Sequence, residues 1–261
     1  MRARATAVIT AALALPALAA CGSSSSSTAA SSPSASTSPG QPITVFAAAS
    51  LKEAFTTLGK QFEAAHPGAK ITFNFGPSSG LAEQIDNDAP ADVFASASKK
   101  NMDQVVKAGH AKDPTTFAKN VGEIAVPTDN PAHIGGVADL AKSGVKVAVC
   151  QAQVPCGVIA AAIFGKAKAT VKPVTQATDV RAVLTAVQTG EVDVGIVYVT
   201  DVRSAKGKVT GIEIPASLNT STSYPIASLG DSPKATAKDF VAYVVSAVGR
   251  KVLTADGFES P

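Results

Sequence analysis

Residues 43–62 read ITVFAAASLKEAFTTLGKQF, a short apolar run followed by apolar residues at helical spacing. The run Ile43–Ala47 predicts a buried strand, and the spacing that follows it predicts a helix. Ser50 and Glu53 form the S-x-x-E pattern of a capping box at the start of that helix. The helix is expected to end at residues 66–68, which read His-Pro-Gly. This segment therefore predicts a strand that leads through a short loop into a helix.

Strands and helices are predicted to alternate through the rest of the chain. Further strands are expected over residues 70–75, 92–96, 123–126, 145–149, 194–199 and 210–214. A turn is expected at 76–80, and helices over 81–85 and 100–108 and from Pro155, Thr178 and Pro233 onward. The last helix is expected to carry on one face Phe240, Val244, Val245 and Val248. Such alternation indicates an α/β fold with largely parallel sheets.

The overall composition excludes several classes of protein. Of the 261 residues, 46% are hydrophobic and 16% are charged, which argues against disorder for the chain as a whole. Basic residues number 23 and acidic residues 20, and without Arg2 and Arg4 the basic excess falls to one. Nucleic-acid binding depends on clustered basic residues, so we expect no nucleic-acid partner. The chain has no CxxC or HExxH motif and three scattered histidines, so we expect neither a zinc site nor a cofactor.

The first 41 residues have the composition of an export signal and a linker. Residues 1–20 begin with a short basic stretch and continue as an uncharged, mostly apolar run, which predicts a signal peptide. Residues 18–22 resemble the lipobox of bacterial lipoproteins, in which Cys21 would carry the lipid; the alternative is an ordinary cleavage site beside a chance cysteine. The serine-rich, uncharged residues 21–41 predict a disordered tether. We therefore expect a body outside the cytoplasm that is held at the cell membrane only through its lipid.

Small, uncharged residues form three loops, at 47–50, 76–80 and 151–157, that each connect a predicted strand to a predicted helix. Ligands of open α/β sheets bind beyond the carboxyl ends of the strands, where helix N-termini attract anions. The first two loops add serine hydroxyls as donors. A site made of neutral donors suits a fully ionised anion that must later be released. Taken singly, a serine such as Ser50 is more often only a helix cap, and a serine–glycine segment is most often only a turn; the repetition at three loops favours a ligand site.

Several motifs occur in an order that matches a known family. They are ITVFAAASL at 43–51, SSGLAEQI at 78–85, APADVFAS at 89–96, VPCG at 154–157, DVR at 179–181 and GIVY at 195–198. Together they resemble the extracytoplasmic molybdate-binding proteins of ABC importers, from about residue 42 to about residue 258. The resemblance implies a two-lobed, type II periplasmic-binding-protein fold, each lobe a mostly parallel sheet flanked by helices. It also implies that molybdate or tungstate binds in the interlobe cleft and that the partner is an ABC permease; we expect a monomer.

The same resemblance assigns five binding residues. The anion would be bound by the hydroxyls of Ser50, Ser78 and Tyr198 and by the backbone N–H groups of Cys156 and Val180. Ser79 is the alternative to Ser78 if the register differs by one residue. The chain departs from the family pattern at Pro77, which removes one possible donor, and at Cys156, where an alanine is common. Without the family, Tyr198 is as consistent with a core tyrosine whose hydroxyl is satisfied.

The chain is expected to cross between the lobes twice, near residues 122 and 225. One lobe would comprise residues 42–122 plus 226–261, and the other residues 123–225. Closure would bring both sets of donors to the anion. Cys150 and Cys156 flank the third loop, and in an oxidising compartment we expect a disulfide between them; two free buried thiols are the alternative.

Three other functions stay open at this point. The same fold would also suit sulfate, phosphate or a small organic anion, and Arg181 beside the predicted site keeps the organic anion open. Residues 76–80 also match the G-x-S-x-G motif, in which Ser78 would be a hydrolase nucleophile and His110 or His133 its base. The early position of that motif and the lack of an HGGG-like segment argue against the hydrolase. The third alternative is a surface lipoprotein with no transported ligand.

Overall fold

The computed structural model describes residues 40–230 and 233–261. The predicted signal peptide, Cys21 and the predicted tether up to residue 39 lie outside these residues. None of the described helices combines the length and the apolarity that crossing a membrane requires. The body predicted from residue 42 onward lies almost wholly within the described ranges.

Strands and helices alternate through most of the body, as the sequence predicts. The strands are β1 Pro42–Ala48, β2 Lys70–Gly76, β3 Val93–Ala95, β4 Thr115–Val126, β5 Val147–Cys150, β6 Thr175–Ala177, β7 Val194–Tyr198, β8 Thr210–Glu213 and β9 Ser221–Ser228. The helices are α1 Lys52–Ala65, α2 Ser78–Asp86, α3 Lys99–Lys107, α4 Pro155–Ala167, α5 Val180–Gln188, α6 Val199–Ser204, α7 Ala235–Val245 and α8 Ala247–Ala255. Short 3-10 helices cover Ala49–Leu51 and Val137–Ala141.

Within the described residues the strands form one nine-stranded sheet in the order β2-β1-β3-β9-β4-β7-β5-β6, with β8 paired to β4. Pairing is parallel at the two ends of the sheet, among β2, β1 and β3 and among β7, β5 and β6. In the middle, β9 runs antiparallel to β3 and β4, and β4 runs antiparallel to β7 and β8. The expected parallel sheets are thus present at the ends, and antiparallel strands join them.

The long strand β4 connects the two ends of the sheet. It pairs with β9 through Val121 and with β7 and β8 from Gly122 onward. Apolar side chains form separate clusters on the two sides of this change of partner, one that includes Phe55, Phe62 and Phe240 and another that includes Ile124, Val183 and Ile196. Separate cores on the two sides of a crossing strand are the arrangement that a two-lobed body needs. The lobe boundaries themselves stay a prediction.

The start of α1 differs from the prediction. Ser50 lies in a 3-10 turn, α1 begins at Lys52, and no side chain caps it. The predicted capping box is wrong because both of its side chains have other partners. The Ser50 hydroxyl lies 2.8 Å from the Tyr224 hydroxyl, and Glu53 forms an ion pair with Arg181. Both side chains therefore contact segments that are distant in sequence.

Several further elements differ from the sequence-based expectation. Strand β4 begins at Thr115, eight residues before its predicted start, and β6 and α6 are not predicted. Residues 78–80 form the first turn of α2 rather than a loop. Helix α7 ends at Val245, so Val248 lies in α8 and is 49% exposed instead of lying on a buried face. Strand β9 is not predicted at all, because it begins with three polar residues and contains Pro225. Its pairing with β3 and β4 outweighs its weak intrinsic preference for a strand.

Candidate functional site

Helix starts and a strand end meet at one small cavity. Its volume is about 20 Å³, which is room for about one water molecule. The lining residues are Ala48, Ala49, Ser50, Gly76, Pro77, Ser78, Ala97, Val154, Pro155, Cys156, Asp179, Val180 and Tyr198. This lining includes all five predicted binding residues and does not include Ser79. The structure therefore brings the five residues together at one place.

Parallel strands place the helix starts at this cavity. Strands β1, β2, β5 and β6 are each followed directly by a loop and a helix. The first N–H groups of a helix have no acceptor within that helix, and they carry a partial positive charge. The predicted residues at such positions are Ser78 in α2, Cys156 in α4 and Val180 in α5. Their convergence makes the cavity attractive to an anion.

The Ser78 hydroxyl is oriented by the backbone. Its oxygen accepts the N–H of Ala97 at 2.9 Å, and the side chain is almost completely buried. A backbone N–H can only donate, so this bond leaves the hydroxyl hydrogen of Ser78 unused. That hydrogen is available to an acceptor in the cavity that Ser78 lines.

Tyr198 ends β7 with a buried hydroxyl that has no hydrogen-bond partner among the described residues. The residue is 1% exposed, and burial raises the pKa of its phenol well above the ordinary value, so the hydroxyl stays neutral. An unsatisfied buried polar group costs about 1–3 kcal/mol. The alternative of a core tyrosine whose hydroxyl is satisfied by the described residues therefore does not hold for Tyr198. Its hydroxyl is instead an unused donor at the cavity.

The third hydroxyl, that of Ser50, contacts a tyrosine that sequence reasoning missed. Tyr224 in β9 lies 2.8 Å from it, and the side-chain nitrogen of Asn120 in β4 lies 3.4 Å from the Tyr224 oxygen. Asn120 and Tyr224 are each almost completely buried. Sequence analysis missed Tyr224 because it did not predict strand β9. Only that strand indicates that the tyrosine is buried beside the cavity.

The described lining of the cavity is almost free of charged side chains. Within the described part of the chain, no lysine, arginine or histidine is among its lining residues. Its charged residue is Asp179, whose carboxylate accepts the N–H groups of Arg181 at 2.8 Å and Ala182 at 3.0 Å and so caps α5. The described residues also contain no cluster of three side chains that could ligate a metal ion. The site therefore offers neutral donors, not a metal centre or a cationic clamp.

Arg181 is adjacent to the site in sequence, but its side chain is engaged elsewhere. Its guanidinium pairs with Glu53, donates to the Ser204 hydroxyl at 2.5 Å and lies 3.8 Å from the Asp201 carboxylate. Asp201 in turn accepts the backbone N–H of Tyr198 at 3.0 Å. Burial raises the pKa of Asp201 to about 7, and the nearby positive charge of Arg181 opposes that shift. Arg181 thus supports the segment that carries Tyr198.

A disulfide links Cys150 at the end of β5 to Cys156 in the first turn of α4, with the two Cα atoms 5.6 Å apart. This confirms the predicted bridge and removes the alternative of two free thiols. The chain beside the bridge turns tightly. A Cβ atom on Gly157, which follows Cys156, would lie 2.0 Å from the carbonyl oxygen of Gln151. The bridge and this glycine together restrict the position of the Cys156 N–H.

Among the described lining residues, the hydrolase alternative lacks either of its predicted histidine bases. Ser78 lies in this cavity, but neither His110 nor His133 is among its lining residues. A serine nucleophile needs a general base within hydrogen-bond reach. The Ser78 oxygen is instead bonded to the N–H of Ala97.

The profile of the family described as bacterial extracellular solute-binding proteins matches residues 43–259. The chain belongs to this family. This solute-binding protein is 43% identical over 255 residues to the molybdate-binding protein of Mycobacterium tuberculosis H37Rv, across 97% of each chain. It is 31% identical over 227 residues to a Bacillus subtilis protein provisionally named an ABC transporter substrate-binding lipoprotein, across 83% of this chain and 85% of that one.

Solved structures confirm the predicted fold class for this solute-binding protein. The periplasmic molybdate-binding protein of Azotobacter vinelandii superposes with a TM-score of 0.72 at 19% identity, over 84% of this chain and 99% of that one. The sulfate-binding protein of Mycobacterium tuberculosis H37Rv superposes with a TM-score of 0.76 at 19% identity, over 84% and 87%. At such low identity these likenesses show the two-lobed fold alone. Family membership makes the protein an extracytoplasmic binding protein.

Proposed function

We propose that the protein binds molybdate, and also tungstate, and delivers it to an ABC permease. The observation that carries this proposal is the small cavity lined by helix N-termini and by three hydroxyls, one of which has no partner among the described residues. The Mycobacterium tuberculosis relative that shares 43% of its residues is named a molybdate-binding protein. We propose no further cofactor.

Neutral donors can bind a dianion tightly enough in a buried site. A hydrogen bond to a charged group contributes about 1.5–3 kcal/mol, and several of them offset the cost of removing water from the ion. Because the donors carry no full charge, an empty site holds no unpaired buried cation. Release of the ion therefore needs no proton transfer.

Closure of the two lobes would complete the set of donors. Ser50 and Ser78 belong to the predicted lobe of residues 42–122, whereas Cys156, Val180 and Tyr198 belong to residues 123–225. An anion that contacts both sets stabilises the closed form over the open one. The closed form would then be the one that docks on the permease.

Sulfate is the second candidate ligand, because it has the same charge and a sulfate-binding protein shares the fold. Its bonds to oxygen are shorter than those of molybdate. A rigid cavity that fits the larger ion leaves the donors too far from sulfate, so size alone can separate the two ions.

Calorimetric titration with molybdate, tungstate, sulfate and phosphate tests the proposal. We expect molybdate and tungstate to bind, and sulfate to bind at least about tenfold more weakly. Ser78→Ala should weaken molybdate binding and Ser79→Ala should leave it unchanged, since only Ser78 lines the cavity. Equal affinities for sulfate and molybdate would favour the second candidate, and no binding of any oxyanion would overturn the function.

We also propose that Cys21 carries a lipid anchor and that the body works as a monomer. The serine-rich segment after Cys21 and the name of the Bacillus subtilis relative support the anchor. Expression of Cys21→Ala in a bacterial host should move the protein from the membrane fraction to the soluble fraction. A variant that stays with the membrane would contradict the anchor, and a dimer mass in light scattering would contradict the monomer.

A further inference from the structure

A chain of hydrogen bonds connects Ser50 to the middle of the sheet. The Ser50 hydroxyl lies 2.8 Å from the hydroxyl of Tyr224. The side-chain nitrogen of Asn120 lies 3.4 Å from that same Tyr224 oxygen and 2.8 Å from the hydroxyl of Thr200. Ser50 is 6% exposed and the other three residues are buried more deeply. Bulk water competes little with these bonds. The direction in which each hydrogen points therefore decides which hydroxyl donates and which accepts.

The orientation of the Asn120 amide determines that direction. Its oxygen accepts the backbone N–H of Val121 at 3.0 Å, and a backbone N–H can only donate. The amide nitrogen, which also can only donate, must then face Thr200 and Tyr224. Since the Tyr224 oxygen faces a donor on this side, its own hydrogen turns toward Ser50.

The bond between the two hydroxyls then has Tyr224 as donor and Ser50 as acceptor. The Ser50 hydrogen is left for a group in the cavity that Ser50 lines. In the opposite direction Ser50 would donate to Tyr224, and its oxygen lone pairs would face the anion. That arrangement would repel the ligand instead of binding it.

We propose that Tyr224 and Asn120 are positioning residues that orient the Ser50 hydroxyl as a donor and thereby make the site select oxyanions that carry no hydrogen. The inference rests on the proposed function and names a determinant of its specificity. At neutral pH molybdate and sulfate carry no hydrogen, whereas phosphate retains at least one. A phosphate hydroxyl that faces Ser50 would place two donors against each other at a buried position.

Tyr224→Phe tests the inference, because it keeps the ring that packs against Phe117 and Phe258 and removes only the hydroxyl. Without that hydroxyl the Ser50 oxygen is free to accept a hydrogen as well as to donate one. We expect molybdate to bind about tenfold more weakly. We also expect the affinity ratio of sulfate to phosphate, measured by displacement of molybdate, to fall by about the same factor. Sulfate and phosphate are similar in size, so this ratio reports the hydrogen and not the volume.

Two controls separate positioning from general damage. Tyr243→Phe removes a phenol hydroxyl that donates to Gln61 at the surface, and it should change neither quantity. In the Ser50→Ala background, Tyr224→Phe should have no further effect on molybdate affinity, because the group that it positions is gone.

Asn120→Asp provides a second variant if Tyr224→Phe unfolds. The carboxylate still accepts the N–H of Val121, but an acceptor replaces the donor that faces Tyr224. The hydrogen bond between Tyr224 and Ser50 then reverses its direction. The added charge weakens anion binding with or without Ser50, whereas the reversal acts only where Ser50 is present. We therefore expect a larger loss of affinity in the parent than in Ser50→Ala.

The outcomes distinguish this inference from the function on which it rests. A parent protein that binds no oxyanion overturns both. A parent that binds molybdate, with Tyr224→Phe unchanged in affinity and in the sulfate-to-phosphate ratio, overturns only the inference. Effects of Tyr224→Phe and Ser50→Ala that simply add would also overturn it.

Discussion

The three hydroxyls at the cavity leave their hydrogens unused for different reasons. The Ser78 oxygen is held by the N–H of Ala97, and the Tyr198 hydroxyl has no partner among the described residues. The Ser50 oxygen is held by Tyr224 in the direction that we propose. In each case the described residues show no hydrogen bond that the hydroxyl hydrogen must make within the protein. A ligand that accepts hydrogen bonds supplies what these residues lack.

Tyr198→Phe should weaken ligand binding without lowering stability. Removal of a buried hydroxyl without a partner should leave the free energy of unfolding unchanged or raise it by about 1 kcal/mol. The same change should weaken molybdate binding about tenfold or more. Thermal unfolding without ligand and calorimetry with ligand measure the two effects. A less stable variant with normal affinity would show that the hydroxyl has a partner within the protein.

Asp201→Asn should change how stability depends on pH. Burial raises the pKa of Asp201 from an ordinary 3.8 to about 7, so between these values the folded protein keeps a proton that the unfolded chain has lost. This contribution to stability is full below about pH 4 and is lost as the pH rises to about 7. The stability of the parent relative to the variant should therefore fall over that range, by about 1 kcal/mol or more.

Urea denaturation of both proteins at several pH values from 4 to 8 measures this difference. Asparagine can still accept the backbone N–H of Tyr198 that Asp201 accepts. The variant therefore removes the titratable carboxyl group of residue 201 and keeps the hydrogen bond. A difference in stability that is constant across the range would show that Asp201 is ionised throughout.

Among the elements, the start of α4 has the most constrained approach. It follows β5, it carries the Cys156 N–H, and the disulfide to Cys150 closes the loop between them. Helices α2 and α5 reach the same cavity with no covalent link in their loops. The disulfide therefore adds a covalent restraint on one of the donors to the packing around it.

Reduction of the Cys150–Cys156 bridge should weaken both folding and binding. By the chain-entropy model, closure of so short a loop contributes about 2 kcal/mol to the free energy of unfolding. Without the bridge, the position of the Cys156 N–H is less restricted. This should lower molybdate affinity by a factor of roughly three to ten. Calorimetry and denaturation with and without reductant measure both losses. The control is a variant with alanine at both positions, which should not respond to reductant; a parent that loses no affinity would contradict the role of the bridge.

At the scale of the whole molecule, a polar link joins the two sets of donors. Glu53 lies in α1, which follows the Ser50 turn, and Arg181 lies in α5, which begins at Val180. Their ion pair therefore connects segments on the two sides of the cavity. With the predicted lobe boundaries, we expect this pair to form only when the lobes are closed.

Glu53→Gln should favour the open form and so weaken binding without touching the ligand. The side chains of Arg181 and Glu53 are 22% and 41% exposed, so we expect less than about 1 kcal/mol, or a two- to fivefold loss of affinity. The loss should shrink at high salt, because salt screens the pair in the parent. Asp103→Asn, which breaks an exposed ion pair within α3, is the control and should leave affinity unchanged. A loss that is independent of salt would exclude the ion pair as its cause.

The sequence alone determined the alternation of strands and helices and the small, uncharged loops, because both depend on residues that are close together in the chain. Through a family resemblance it also predicted Ser50, Ser78, Cys156, Val180 and Tyr198 as binding residues, and the structure places all five at one cavity. Only the tertiary structure decided the partners of Ser50 and Glu53, which local pattern had paired in a capping box. Tyr224 is 174 residues from Ser50, and Arg181 is 128 residues from Glu53. A hydrogen bond depends on distance in space, and no spacing in the sequence reports that distance until the strands have paired.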